Sequence, residues 1–186
     1  LTEAATEQLL QKLQDHQLDA VLLATSPAVG NLTEMPLFRE PFWLAHPRDH
    51  HLYTKEEITL NDLKAENVLL LSQEHCLSDQ VMAACRINQR SNAGGMPGLN
   101  ASSLETLVQL VGMGLGVTLV PALSVHGGRL ATDRVILRQV SITDAVRQIR
   151  LVYRASFPRE GALTLLSRII CKVLPNTVQP NQAPPQ

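Results

Sequence analysis

Three cysteines in 186 residues are too few for a disulfide framework. The count points to a reducing compartment, the cytoplasm, where any disulfide is transient and regulatory. Long apolar runs are missing too: none approaches the ~20 residues that span a bilayer, so no membrane association is expected. There is no basic excess, since 16 Lys and Arg stand against 17 Asp and Glu for a net charge of −1. A duplex-binding module normally carries a basic patch, so this stretch is not expected to read nucleic acid itself. No secretory leader is expected, because Leu1 leads straight into a polar helical pattern. No C-x-x-C pair occurs, and His46, His50 and His51 read as solvated loop residues, so no metal site is expected and no cofactor is implied.

What is there alternates between helical and strand patterns. Thr6 to Gln17 reads as a helix with Leu9, Leu10 and Leu13 inward, and Leu18 to Ala24 as a buried strand. Prolines at 27, 36, 41 and 47 punctuate an extended piece around Phe42 to Ala45. A short helix over Leu60 to Leu63 precedes a strand over Val68 to Leu71. Leu77 to about Asn88 is helical, with Leu77, Val81 and Cys85 stacked at a spacing of four, and a glycine-containing loop covers Ser91 to Gly98. Ser102 and Glu105 have capping-box spacing ahead of the stripe Leu104, Leu107, Val108, Val111, which ends at Gly112, Gly114 and Gly116. Strands follow at Val117 to Val120, Val135 to Val140 and Gln148 to Arg154, then a helix over Glu160 to Leu174. Four prolines after Leu174 predict a disordered tail over 176–186. The alternation indicates an α/β fold with parallel sheets covered by helices on both faces.

The chemistry lies in two cysteines. Cys76 follows His75 at a strand-to-helix junction, where the helix dipole and open backbone N–H groups favour a thiolate. Cys85 lies nine residues on, along the apolar face. In a helix, nine residues rise ~13.5 Å and turn the two side chains to opposite faces. A disulfide requires Cα atoms within roughly 7 Å. Either the helix stands and both residues remain thiols, or they bond and the helix is at least partly dismantled, which makes a two-state element. On spacing alone Cys85 reads as a small core residue, while Cys76 is open between structural and reactive roles. Cys171, between Ile170 and Lys172, reads as structural.

Beyond these readings, the sequence resembles the regulatory domain of the peroxide-sensing LysR-type transcriptional regulators. The likeness runs from about Thr2 to Leu174 and rests on His75-Cys76-Leu77-Ser78-Asp79-Gln80 with Cys85 nine residues on. Ser103 to Leu107, Gly114 to Leu123, Leu151 to Arg154 and Pro36 to Pro41 also match. The glycine-rich unit is common to LysR-type regulators; the cysteine run is specific to the peroxide sensors.

The resemblance implies that Cys76 is the peroxidatic cysteine and Cys85 its resolving partner. It implies that Thr6 and His75 hold peroxide beside the thiol and that Arg147 steadies the thiolate region. Thr6 also reads as a plain N-cap, and Arg147 as a surface charge. Glu74 stands where better-known members have glycine, and a carboxylate beside His75 would raise the histidine's pKa and tune peroxide sensitivity.

The implied fold is two Rossmann-like α/β lobes resembling periplasmic binding proteins, and against that resemblance the first strand and helix of the domain are expected to be missing. Residues 1–39 and 148–175 would form one lobe, and 40–147 the other with the redox pair. The implied function is a stoichiometric peroxide sensor, not an enzyme. Its partners would be hydrogen peroxide, further copies of itself (a dimer, or a tetramer at full length), DNA and RNA polymerase through the full-length protein, and cellular thiol reductants. Two rivals are a LysR-type domain that binds a small metabolite, with incidental cysteines, and a thiol peroxidase. The peroxidase is disfavoured because no Pro-x-x-x-Thr-x-x-Cys run occurs.

Overall fold

Strand alternation, helical stripes and prolines resolve into two compact units in a computed structural model that describes residues 1–27, 30–72, 76–86, 101–128, 130 and 132–181. The first unit comprises residues 1–40 and 147–186, the second residues 41–146.

In the first unit, α1 (Thr6–Gln14) turns Leu13 into a cluster with Val21, Leu23 and Val152, flanked by Leu9, Leu10 and Leu18. Strand β1 (Ala20–Leu23) pairs antiparallel with β5 (Val146–Arg154), Val21 opposite Val152. The Arg154 guanidinium donates to the carbonyls of Leu13 and Leu18, tying β5 to the end of α1 and the turn that follows it. Helix α6 (Glu160–Lys172) buries Leu163 and Ser167, and the Tyr153 hydroxyl donates to Glu160 at 2.8 Å.

The tail departs from the expectation of disorder over 176–186. Val178 is buried, and β6 (Gln179–Pro180) pairs antiparallel with Phe38 and Arg39 of β2 (Leu32–Pro47). The exposed backbone edge of β2 and one apolar side chain are enough to dock the segment despite its prolines. Residues 182–186 lie outside the described residues.

Strand β2 is 16 residues long, far beyond the expected piece around Phe42 to Ala45. It runs through Pro36 and Pro41 and ends on Pro47, since a proline removes only its own N–H and a strand continues wherever that donor is not required. In the second unit β2 pairs antiparallel with β3 (Thr118–Pro121) and with β4 (Val135–Gln139). Parallel pairing, expected throughout, survives as the bridges Val68 with Val117 and Leu71 with Ala101, so Val68 to Leu71 is an extended segment, not a full strand.

Alternation sorts this sheet's side chains to two faces. Phe42, Leu44, Val117 and Leu119 join Leu52, Ile58, Leu63, Val81 and Cys85 in one cluster. Ala45 and Val120 join Leu107, Val108 and Val111 in another. The first cluster is covered by a short 3-10 turn (His51–Thr54), α2 (Leu60–Lys64) and α3 (Cys76–Cys85), the second by α4 (Leu104–Gly112). A short α5 (Ala122–Val125) follows β3. The cap of α4 is Ser103, not Ser102: its hydroxyl accepts from the Thr106 N–H at 3.1 Å. The reciprocal carboxylate is found at α2 instead, where Asp62 accepts from the Thr59 N–H at 2.8 Å.

After α4, Gly114 takes φ +78°, and Gly116 lets the chain pass close to Asn67. A Cβ at Gly116 would stand 2.3 Å from the Asn67 carbonyl oxygen, a backbone atom that cannot swing away. Gly116→Ala is therefore expected to destabilise the domain by about 2–3 kcal/mol, read as a lower urea midpoint with an unchanged slope.

Candidate functional site

Helix α3 begins at Cys76 and ends at Cys85, so the two thiols mark its ends. Its first turn is tied to the preceding chain by Ser78, whose buried hydroxyl donates to the Leu71 carbonyl at 2.7 Å. Its apolar stripe is the one read from the spacing of four: Val81 and Cys85 are buried, and half-buried Leu77 packs against both clusters. At the far end the chain leaves through Arg86 at φ +50°. Arg86 pairs with Asp144 at 2.9 Å, but both side chains are exposed, so the pair adds little. What holds the end of the helix is the burial of Val81, Ala84 and Cys85.

All three cysteines are thiols. The Cys85 side chain has no exposure, and burial pushes its pKa up to about 12. Its thiolate is therefore negligible near neutrality, and the thiol is unreactive where it sits. Cys76, at the other end, is partly exposed. The geometry brings the two cysteines onto one short helix but keeps them a helix length apart, ~13.5 Å between Cα atoms by the rise per residue. Cys171 lies on α6 in the first unit, half-buried, with its Sγ 3.6 Å from the Leu37 carbonyl; burial raises its pKa as well.

Glu74 and His75 lie outside the described residues. Thr6 is the first helical residue of α1 and Ala5 is the N-cap, so the plain capping reading of Thr6 does not hold. Nor is Arg147 a simple surface charge. Its Nε donates to Oε2 of Glu40 at 2.8 Å, and that carboxylate is fully buried. Thr6, Glu40 and Arg147 belong to the first unit, Cys76 and Cys85 to the second.

Glu40 had no assigned role in the sequence reading. The available signal was an acid flanked by Leu37, Phe38, Phe42 and Trp43, a residue type that is almost never buried unless paired. Two of the histidines, His46 and His50, also depart from the expected solvated positions, while His51 stays exposed. His46 is completely buried in β2, and His50 and His51 converge on Glu66 at 3.3 and 3.0 Å. The strand continues to Pro47, and the 3-10 turn that follows brings the His50 and His51 rings to Glu66, with His51 still open to solvent.

Alkylation at neutral pH is expected to label Cys76 and leave Cys85 untouched until the chain is unfolded, as peptide mass mapping would read. Because the Cys85 pKa is raised from 9.0 in the folded state, the stability it contributes is complete below about pH 9 and is lost as pH rises towards about 12. Urea midpoints measured across that window should fall, and a Cys85→Ala variant should show a shallower fall.

A family model described as the LysR substrate binding domain matches residues 1–172. The hydrogen peroxide-inducible genes activator of Pectobacterium carotovorum is 38% identical over 170 residues, covering 91% of this chain and 55% of that protein. The chain thus spans about half the length of this relative. The reduced form of the OxyR regulatory domain from Pseudomonas aeruginosa superposes with a TM-score of 0.77 at 33% identity, covering 91% of this chain and 80% of the other. A cysteine-to-serine mutant of Corynebacterium glutamicum OxyR with hydrogen peroxide bound gives a TM-score of 0.83 at 31% identity, covering 92% and 53%.

Proposed function

The chain belongs to the LysR substrate-binding domain family, among the OxyR regulatory domains, and on that premise we propose that it senses hydrogen peroxide through Cys76 and Cys85. The observation that carries the reading is an intact α3 with a partly exposed thiol at its first residue and a buried thiol at its last.

The chemistry runs in two steps. The Cys76 thiolate attacks one peroxide oxygen, the O–O bond breaks, and the departing hydroxide takes a proton and leaves as water. The product is a sulfenic acid at Cys76. A thiol that attacks that sulfur forms a disulfide and releases a second water. Cys85 cannot attack from the core, where it is protonated and a helix length away. It becomes the resolving thiol only when α3 opens, and exposure then returns its pKa towards the ordinary value near 8.5. Opening forfeits the burial of Val81, Ala84 and Cys85, and the new covalent bond replaces that stabilisation. The oxidised state is thus a different local fold, and cellular thiol reductants restore the first one.

Thr6, His75 and Arg147 are assigned to the peroxide pocket on the family likeness, with Thr6 and His75 holding the substrate and Arg147 acting through charge. Glu74 favours the protonated form of its neighbour His75 and so adjusts proton supply to the departing oxygen. In the whole regulator the partners are DNA and RNA polymerase, further copies of the chain, and thiol reductants. Turnover of peroxide is not part of this role.

Mass spectrometry of the purified protein before and after sub-stoichiometric peroxide tests the proposal. A Cys76–Cys85 bond should appear only afterwards, together with lost helical circular dichroism, and Cys76→Ser should abolish both. Absence of the bond, or a bond to Cys171, would sink it. Glu74→Gly should change the Cys76 oxidation rate about threefold or more, roughly 0.7 kcal/mol in the barrier. An unchanged rate would remove Glu74 from the mechanism.

A further inference from the structure

Away from α3, the second unit brings two imidazoles and a carboxylate to one point. Among the described residues, His50, His51 and Glu66 have ligand atoms that all lie within 4.8 Å of one another. Nε2 of His50 is 3.3 Å from one Glu66 oxygen and Nε2 of His51 is 3.0 Å from the other. Zinc bound at about 2.0–2.2 Å in a tetrahedron sets its ligand atoms roughly 3.3–3.6 Å apart, so donors that lie within 4.8 Å of one another need only a small inward shift to share one ion.

We propose that His50, His51 and Glu66 form a binding site for a Zn²⁺-class divalent metal on the second unit. The donor set is two histidines and one glutamate, leaving a fourth position for water. Two imidazoles select against calcium and magnesium, which take oxygen ligands.

The surroundings suit this use. The Glu66 side chain is only 11% exposed and that of His50 18%, whereas His51 is 66% exposed, so the group is held from within and open on one side. The loop carrying His51 is braced from below: Arg138 donates to the carbonyls of Leu52 and Tyr53 at 2.8 and 3.2 Å and to those of Lys55 and Glu56. Such bracing fixes ligand positions before any metal arrives.

His46 lies behind the group, its ring centroid 5.8 Å from that of His50. Its Nδ1 pairs with the Pro47 carbonyl at 2.7 Å, while its buried Nε2 has no hydrogen-bond partner. His46 is outside the three converging donors.

A metal at Nε2 of His50 would leave the neutral ring's one proton on Nδ1, at the loss of the long 3.3 Å contact from the Leu52 N–H. That is a weak bond to forfeit against a metal ligand.

The proposal is independent of the thiol chemistry, and its test keeps the two apart. The purified protein is titrated with Zn²⁺ by calorimetry, and with Co²⁺ followed by visible absorption. The expected result is one metal per chain, a Co²⁺ spectrum without a thiolate charge-transfer band, and a raised melting temperature. His51→Ala, at an exposed position, should lose about tenfold or more in affinity. Glu66→Gln should lose as much, and Cys76→Ser should bind as the parent does. A thiolate band, unchanged affinity in His51→Ala, or loss of binding in Cys76→Ser would overturn the assignment; if Glu66→Gln does not fold, His51→Ala alone decides.

Discussion

Cys85 sits at the end of α3 with no exposure, among Phe42, Leu44, Leu52, Leu63, Val68 and Val81, and that burial governs the local structure and its chemistry together. It holds the last turn of the helix against the sheet, where the exposed Arg86–Asp144 pair contributes little. It keeps the thiol protonated and silent. It also separates Cys85 from Cys76 by the length of a helix. One packing interaction therefore sets shape, reactivity and distance, so a chemical event that frees Cys85 changes all three at once. A core thiol seldom carries so much.

Much of this was legible in the sequence because helices announce themselves by period. The stripe Leu77, Val81, Cys85 and the stripe Leu107, Val108, Val111 are where the pattern puts them, and α2 and α6 follow the same rule. Caps were legible only to within a residue. Ser102 and Ser103 offer the same hydroxyl, and the choice between them depends on backbone geometry. Strands were harder. The prolines of β2 read as breaks, yet the strand runs through Pro36 and Pro41 and stops only at Pro47, because a proline's effect depends on whether its missing N–H would have had a partner. The parallel sheet inferred from alternating elements gave way to antiparallel ladders, since strand direction is a property of the assembled sheet.

The site shows the same division. Local motifs exposed the two cysteines, whereas pairings between distant residues stayed hidden. Glu40 and Arg147 are 107 positions apart, and the histidines meet Glu66 only because the turn after Pro47 folds back. Removing one partner of a buried ion pair typically costs about 3–5 kcal/mol, so the Glu40–Arg147 contact is a strong constraint that no local window contains. Both residues belong to the first unit.

The docked tail has a different kind of consequence. By pairing with Phe38 and Arg39, β6 occupies backbone donors and acceptors that would otherwise form an open sheet edge. Open edges recruit strands from other molecules, and that is a route to aggregation. The proline-bearing segment thus works as a selvedge, the finished border that keeps a cloth from fraying. A protein trimmed after Leu174, where the helical pattern stops, would be cut on the wrong side of it.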